Sequence, residues 1–553
     1  MTVTEDASAA ANAPAPATAT SGHQAPAPAP GLAAILGSGD HKVIGRLWLV
    51  AAMVHLLLVG VVNALVAAER ADTDSFEILG RDWIVQADTF RFIGVVFLVI
   101  LPLTISIATA IVPLQVGAST VAFPRAASAS AWTYLMGGGL LLGAYVIEGG
   151  PGGTDEDGVR LFVAAFVLVL LALTVAWICI MTTVMTLRAP GMGLARIPLF
   201  AWSALVAGGV WILTLPVLAG LSVLSYLDVR YEEALGGGPS AFYDHVSWAF
   251  GTPTVYALAI PVLGFVGSVL PVFARTRHHL HRIALGLIGA FAAFTIGSWT
   301  APGFSAEAEG PAWLYEGLWV VVSIAAIVPV LGLVGLWALT ARKGRVKLAS
   351  PLIFGVAALL MLLAGLTAGA LQAIEPIETL VDGEGSSLFG TSWSTGTFAY
   401  VALATIIALL GAIVYWSPKL LGAAFPEAGA RLVALLALLG TVVASLPELV
   451  AGLLGEPAAA TEVAADNQST IETLNVVVAA GDGLLALAAV LFVMLLVKTA
   501  TSDDDPGDDP WGGHTLEWAT ASPPPVGNFT EVPSVTSEAP LYDAHHRTEE
   551  ASA

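Results

Sequence analysis

The feature that most constrains this chain is a repeat of long apolar runs. Each is close to the roughly 20 residues that an α-helix needs to cross a bilayer core, and together they occupy most of the 553 residues. Backbone N–H and C=O groups inside lipid must be satisfied within the spanning structure, so runs of this kind are helices rather than open strands. The runs lie near 44–68, 90–114, 130–147, 160–187, 197–226, 245–273, 280–299, 313–341, 350–374, 393–416, 429–454 and 470–497. The break between 273 and 280 is the least marked. The expected fold class is therefore all-α, a polytopic membrane bundle of about 12 transmembrane helices. Composition agrees: 56% of residues are hydrophobic and 11% charged, where a soluble domain carries roughly 25% charge.

Charge in the loops alternates. Arg125, Arg188 with Arg196, Arg275 with Arg277 and Arg282, the run Arg342, Lys343, Arg345 and Lys347, and Lys419 with Arg431 mark one set of loops. Asp155, Glu156 and Asp157, then Glu232 and Glu233, Glu307 and Glu309, Glu375, Glu378, Asp382 and Glu384, and Glu456, Glu462 and Asp466 mark the other. Basic short loops stay on the cytoplasmic side. The expectation is a multi-pass protein of a prokaryotic-type plasma membrane, with an even number of spans and both termini cytoplasmic. The net charge of −21 then belongs mostly to outer loops. Such loops are a solvated surface, or a field that steers a basic partner such as a cytochrome c domain.

The flanks divide the chain into three parts. Residues 1–40 are rich in Ala, Pro, Ser and Thr, lack an apolar stretch of signal-peptide length, and read as a disordered cytoplasmic arm. Residues 41–500 form the transmembrane domain. Residues 501–553 form a cytoplasmic tail opening on the acidic run Asp503, Asp504, Asp505, Asp508 and Asp509. Cys179 is the single cysteine, which excludes an internal disulfide and a thiolate cluster. Nothing resembles a phosphate-binding loop, a dinucleotide fingerprint or a basic tract, so nucleic acid is not an expected partner.

Several ordered stretches resemble the heme-copper oxidase superfamily, specifically cytochrome c oxidase subunit I. They are His41-Lys42-Val43-Ile44-Gly45; Val112-Pro113-Leu114 through Gly117-Ala118 and Ala122-Phe123-Pro124-Arg125; Arg188-Ala189-Pro190-Gly191-Met192 with Pro198-Leu199-Phe200; and Leu215 to Gly220. Gly236-Gly237-Gly238, Tyr243, His245, Trp248, Phe250, Gly251, Pro253, Val255 and Tyr256 follow, then Tyr415-Trp416 with Pro418-Lys419. The series ends with Asp509-Pro510-Trp511, Thr515 to Thr520 and Ser522 to Pro525. The resemblance runs in order from residue 41 to about 530 and implies a respiratory, electron-transporting membrane complex. In that family six imidazoles hold two hemes and a copper, one from span two, one from span six, a pair from span seven and two from span ten.

None of the ten histidines lies between His55 and His245 or between His281 and His514. In span two the ligand position falls on Phe90 when registered from Pro113 and on Arg91 when registered from Pro102. In span six it falls on Thr252, in span seven on Ala301 and Pro302, and in span ten on Thr397 and Ala399. The family's proton-relay Glu is Thr254, its proton-uptake Asp is Thr120, its channel Lys falls at Leu333, and its propionate-holding Pro-Arg-Arg is Pro447-Glu448-Leu449. None of these ligand-position residues replaces an imidazole on heme iron or copper. Tyr256, without its histidine partner, reads as a packed aromatic.

The remaining histidines offer little. His55 lies mid-span and is expected to bond a backbone carbonyl or Asn63. His278, His279 and His281 sit among Arg275, Arg277 and Arg282, whose charge opposes a bound cation such as zinc. His245 reads as structural, and His545 and His546 as residues of a mobile tail. No catalytic, cofactor-binding or metal-binding residue is expected, and no heme or copper. The expected role is a degenerate oxidase subunit I, a pseudoenzyme acting as a structural or assembly partner. Its partners would be membrane lipid and oxidase subunits, either subunit II/III-like chains or a ligand-bearing paralogue. Two alternatives stand beside it. One is lipid, quinone or small-molecule binding or transport in a vacated cavity near Thr252, Thr397 and Tyr256. The other is an active terminal oxidase, passing electrons from cytochrome c to oxygen and pumping protons, with unusual ligands.

Overall fold

A computed structural model of the chain describes residues 37–71, 79–231, 242, 246–251, 254–296, 312–374, 388, 390–458, 467–532 and 534–552. Among them the structure is helical. The helices are α1 His41–Arg70, α2 Trp83–Val116, α3 Pro124–Val146, α4 Glu156–Thr186, α5 Leu199–Tyr231, α6 Thr254–Ala274, α7 His281–Thr295, α8 Gly317–Lys343, α9 Ser350–Gln372, α10 Ser392–Leu421, α11 Glu427–Leu453 and α12 Gln468–Ala500. A short amphipathic helix, α13 Pro540–Ser552, ends the chain. Every apolar run in the sequence corresponds to a helix. Ten are long and apolar enough to cross a membrane. Of the other two, α3 carries Gly137-Gly138-Gly139 and two tyrosines, and α7 has only 15 residues among those described.

Local chemistry explains the boundaries. Asp40 caps α1, its carboxylate accepting from Lys42 N at 3.0 Å. Asp155 caps α4 through Gly158 N at 2.6 Å, with Glu156 and Asp157 in the first turn, where the helix dipole favours anions. Helix α2 ends at Gly117, whose φ of 75° is the left-handed conformation that glycine adopts without strain. The same helix contains a π-helical segment, Gly94–Ile100, directly after Arg91 and Phe92. Apolar patterning along the sequence does not reveal such a segment, because a π-turn changes the backbone ladder without changing composition.

Most sequential helices pack side by side, α3 lies against α1 and α4, and α12 returns to α1 to close the ring. Inside it lie α2, α6 and α10: 94%, 89% and 89% of their most apolar windows are buried, against 28% for α12. The outer helices turn apolar side chains outward. On α1, Val50, Val54, Leu58 and Val61 are exposed while Trp48, Ala52 and Val59 are buried, the arrangement of a lipid-facing helix. Small residues allow close approach, as where Gly481 of α12 meets the backbone of Ala444 on α11.

Residues 39–553 form one compact body, so the tail folds with the bundle. Trp511 donates to Tyr415 O at 3.0 Å, and Glu517 accepts from Gln115 at 2.9 Å and from Trp416 at 3.3 Å. Asn528 is fully buried; its amide nitrogen donates to Ala118 O at 2.8 Å. Its carbonyl oxygen lies 3.0 Å from His41 Nε2 and 3.2 Å from Lys42 Nζ. The family-like motifs at the two ends of the sequence therefore meet at one end of the bundle.

Candidate functional site

One expected ligand position of span two, Arg91, and one of span ten, Ala399, meet at a cavity of about 120 Å³ among α1, α2, α10, α11 and α12. Arg91 lines it from α2 and Ala399 from α10, with Asn63, Thr395, Glu448 and Asp482 around them. The two possible registers in span two are separated here by helix rotation. Phe90 packs edge-on against Tyr145, with ring centroids 4.9 Å apart, whereas Arg91 faces the cavity.

Arg91 is held by two carboxylates. Its Nε lies 2.8 Å from Asp88 Oδ1, one helical turn earlier, and its Nη1 lies 4.0 Å from Glu448 Oε1 across the cavity. The guanidinium carbon also sits 4.9 Å from the centroid of Phe92. Asp482 of α12 is buried and lines the cavity together with Asn63 of α1. A second polar cluster closes the neighbouring helix ends: Arg70 pairs with Glu456 at 2.8 Å, and Asn475 donates to the same carboxylate at 2.7 Å. Phe92, Phe250 and Phe398 pack beside the cavity with centroids 5.0–6.3 Å apart.

An axially ligated heme does not fit these residues. A guanidinium has N–H donors and no lone pair to offer iron, and alanine has no donor atom at all. The void is smaller than the roughly 150 Å³ cavity that holds one benzene, and a porphyrin is several times larger. Thr397, Thr254 and Tyr256 are buried, but none lines this cavity. Thr252, Ala301, Pro302 and His245 lie outside the described residues.

The other sequence-flagged groups have ordinary partners. His55 is not bonded to Asn63; its Nδ1 is 3.2 Å from the Tyr134 hydroxyl, which in turn donates to Leu98 O at 3.2 Å. The three clustered histidines point to three places. His278 Nε2 accepts from Trp337 at 3.1 Å, His279 Nδ1 is 3.0 Å from Lys343 Nζ, and His281 Nε2 is 3.0 Å from Ile197 O. Leu333 is fully buried in apolar surroundings. The cavity's Asp482 escaped sequence reasoning. The signal was there: it is the one charged residue in the apolar run 473–497, and an intramembrane carboxylate marks a site by default.

The chain has clear relatives. The chain is 28% identical to the putative cytochrome c oxidase subunit 1-beta of Streptomyces avermitilis, over 92% of each chain. It is 27% identical to cytochrome c oxidase subunit 1 of Bacillus subtilis, over 92% of this chain and 82% of that one. Among solved structures, a heme-copper terminal oxidase dimer superposes with a TM-score of 0.62 at 15% identity, covering 85% of this chain and 84% of that one. The sequence profile for cytochrome c and quinol oxidase polypeptide I matches residues 43–484. An integral membrane chain with this helix order, this ordered motif set and this profile match belongs to the cytochrome c and quinol oxidase polypeptide I family.

Proposed function

We propose that this protein is a heme- and copper-free subunit I homologue that acts as a structural or assembly partner in a respiratory membrane complex. The observation that carries the reading is the charge exchange at the cavity. A cation, Arg91, stands at an iron-ligand position, and an anion, Glu448, stands within the family's propionate-holding motif. The two face each other at 4.0 Å. Each compensates the other, so the helices hold this arrangement without a cofactor bridging them. In this reading the basic loops and both termini face the cytoplasm, and the surface meets a subunit II- or III-like chain or a ligand-bearing paralogue. No step of oxygen reduction is assigned to the chain.

A pyridine-hemochrome and metal assay on the purified full-length protein tests this directly. The expected result is heme and copper far below one per chain, with a ligand-bearing oxidase chain co-purifying in mild detergent. Stoichiometric heme would overturn it in favour of an oxidase with unusual ligands. The cavity itself favours a second reading, in which a lipid tail or quinone occupies the space beside Arg91. Extraction of one defined lipid or quinone per chain, with no oxidase partner, would select that reading.

A further inference from the structure

A second cavity lies at the tail-covered end of the bundle and belongs to none of the ligand positions. Its volume is about 440 Å³, within the range of small-molecule sites, roughly 300–1,000 Å³. Arg275, Lys347, His514, His545 and His546 line it, together with Trp511 and Tyr542, and no carboxylate does. In a chain of net charge −21, a pocket lined by five basic side chains and no acidic one reverses the average.

The backbone builds this arrangement. Helix α6 stops at Ala274, and Arg275 takes a left-handed φ of 53° that ends the helix. The segment after α8 then zips onto that end: Arg345 N donates to Ala274 O at 2.9 Å and Lys347 N to Phe273 O at 2.8 Å. Two cations from separate loops are thereby fixed on one wall. Trp511 packs against Phe273 with centroids 5.5 Å apart and forms the floor. The opposite wall is α13, tied down by Leu541 N to His514 O at 3.2 Å and by the Arg277–Asp543 ion pair. Asp543 of α13 is engaged by Arg277 and Ser537. Tyr542 lies between His514 and His546, with centroids 4.8 and 4.0 Å away. Burial and the neighbouring positive groups hold His514 neutral, pushing its pKa down to about 4.

We propose that this pocket binds a phosphate-ester anion, with Arg275 and Lys347 taking the phosphate oxygens and Trp511 and Tyr542 covering the attached organic group. Guanidinium and ammonium groups converging on an open pocket recognise phosphate through charge-assisted hydrogen bonds. Two sources share that chemistry: a soluble nucleoside phosphate and the headgroup of an anionic phospholipid, since the pocket opens near the ends of spanning helices.

The test uses the full-length protein with two probes. ATP is titrated calorimetrically into detergent-solubilised protein, and phosphatidylglycerol is compared with phosphatidylcholine by native mass spectrometry from nanodiscs. Arg275 and Lys347 are both exposed, so R275Q/K347Q should keep the fold, which a melting curve checks; H545Q/H546Q serves if it does not. R282Q, in the neighbouring helix and outside the pocket, is the control. Binding in either arm is expected to weaken about tenfold per cation removed and to be unchanged by R282Q. ATP binding assigns the soluble source, and retention of phosphatidylglycerol alone assigns the lipid. No binding to the wild type in either arm, or equal binding by the pocket variant, overturns the proposal.

Discussion

The membrane interior around Arg91 and the tail-covered end around Asn528 are held together in different ways. At the covered end the family-like residues are present and touch one another: His41 and Lys42 reach Asn528, Trp511 reaches Tyr415, and Glu517 joins Gln115 to Trp416. In the interior the expected ligand positions carry Arg91 and Ala399, and Arg91 lies against Asp88 and Glu448. The contrast separates two tasks that one fold performs together in an oxidase. The cap and the helix ridges hold the bundle, and the cofactor ligands perform redox chemistry. In the proposed reading the first set stands, while the positions of the second carry an internal ion-pair network. A protein used as a framework for other chains needs the first set only.

The contrast breaks first at Arg91. If the guanidinium is the interior's replacement for a bridging cofactor, its removal leaves Asp88 and Glu448 as buried charge without compensation. R91M is expected to cost about 3–5 kcal/mol, as for other broken buried pairs, measured by denaturant unfolding in mild detergent. R91M/E448M should recover much of that loss, because a buried pair replaced by apolar side chains is often close to neutral. A small effect in R91M would mean that the interior charges are incidental, and the proposed exchange of cofactor for ion pair would fail.

The covered end should respond less, and locally. N528A removes a side chain that joins α1, the turn after α2 and the tail, and leaves Ala118 O without its donor. The expected loss is about 2 kcal/mol. It should be read mainly as faster proteolysis between residues 500 and 540, with the helical bundle intact. If N528A instead unfolds the bundle as severely as R91M, the two regions are one cooperative unit and the division of tasks dissolves.

Much of this architecture was legible in the apolar runs, because a span's length and hydropathy are properties of composition. What stayed hidden depends on rotation and on distant partners. Phe90 and Arg91 differ by one residue, which on a helix is about 100°, and only packing against Tyr145 shows which one turns inward. His55 selected Tyr134, a residue 79 positions away in sequence, over the nearby Asn63, which instead lines the cavity with Asp482. The tail reads as polar and irregular, yet Glu517 and Asn528 are fully buried. Their partners come from helices more than a hundred residues upstream, and no local pattern announces such contacts.

The smallest effect is also the most specific. Glu517 lies outside the spans, and burial raises its pKa from the ordinary 4.5, against hydrogen bonds from neighbours including Gln115 and Trp416 that favour the carboxylate. Because the folded value is raised, the unfolded chain releases this proton first as pH increases. The group's contribution to stability therefore falls as pH rises from 4.5 through the folded value, and above that the buried charge is a constant cost. Glutamine keeps an acceptor oxygen for both donors and carries no charge. E517Q is thus expected to match or slightly exceed the wild type at neutral pH and to remove this share of the pH dependence, measured by melting curves from pH 4.5 upward. R91M should show no such selective flattening. A parallel pH profile in E517Q and the wild type would mean that Glu517 does not carry this titration, and the cap's polar core would have to be reassigned to other groups.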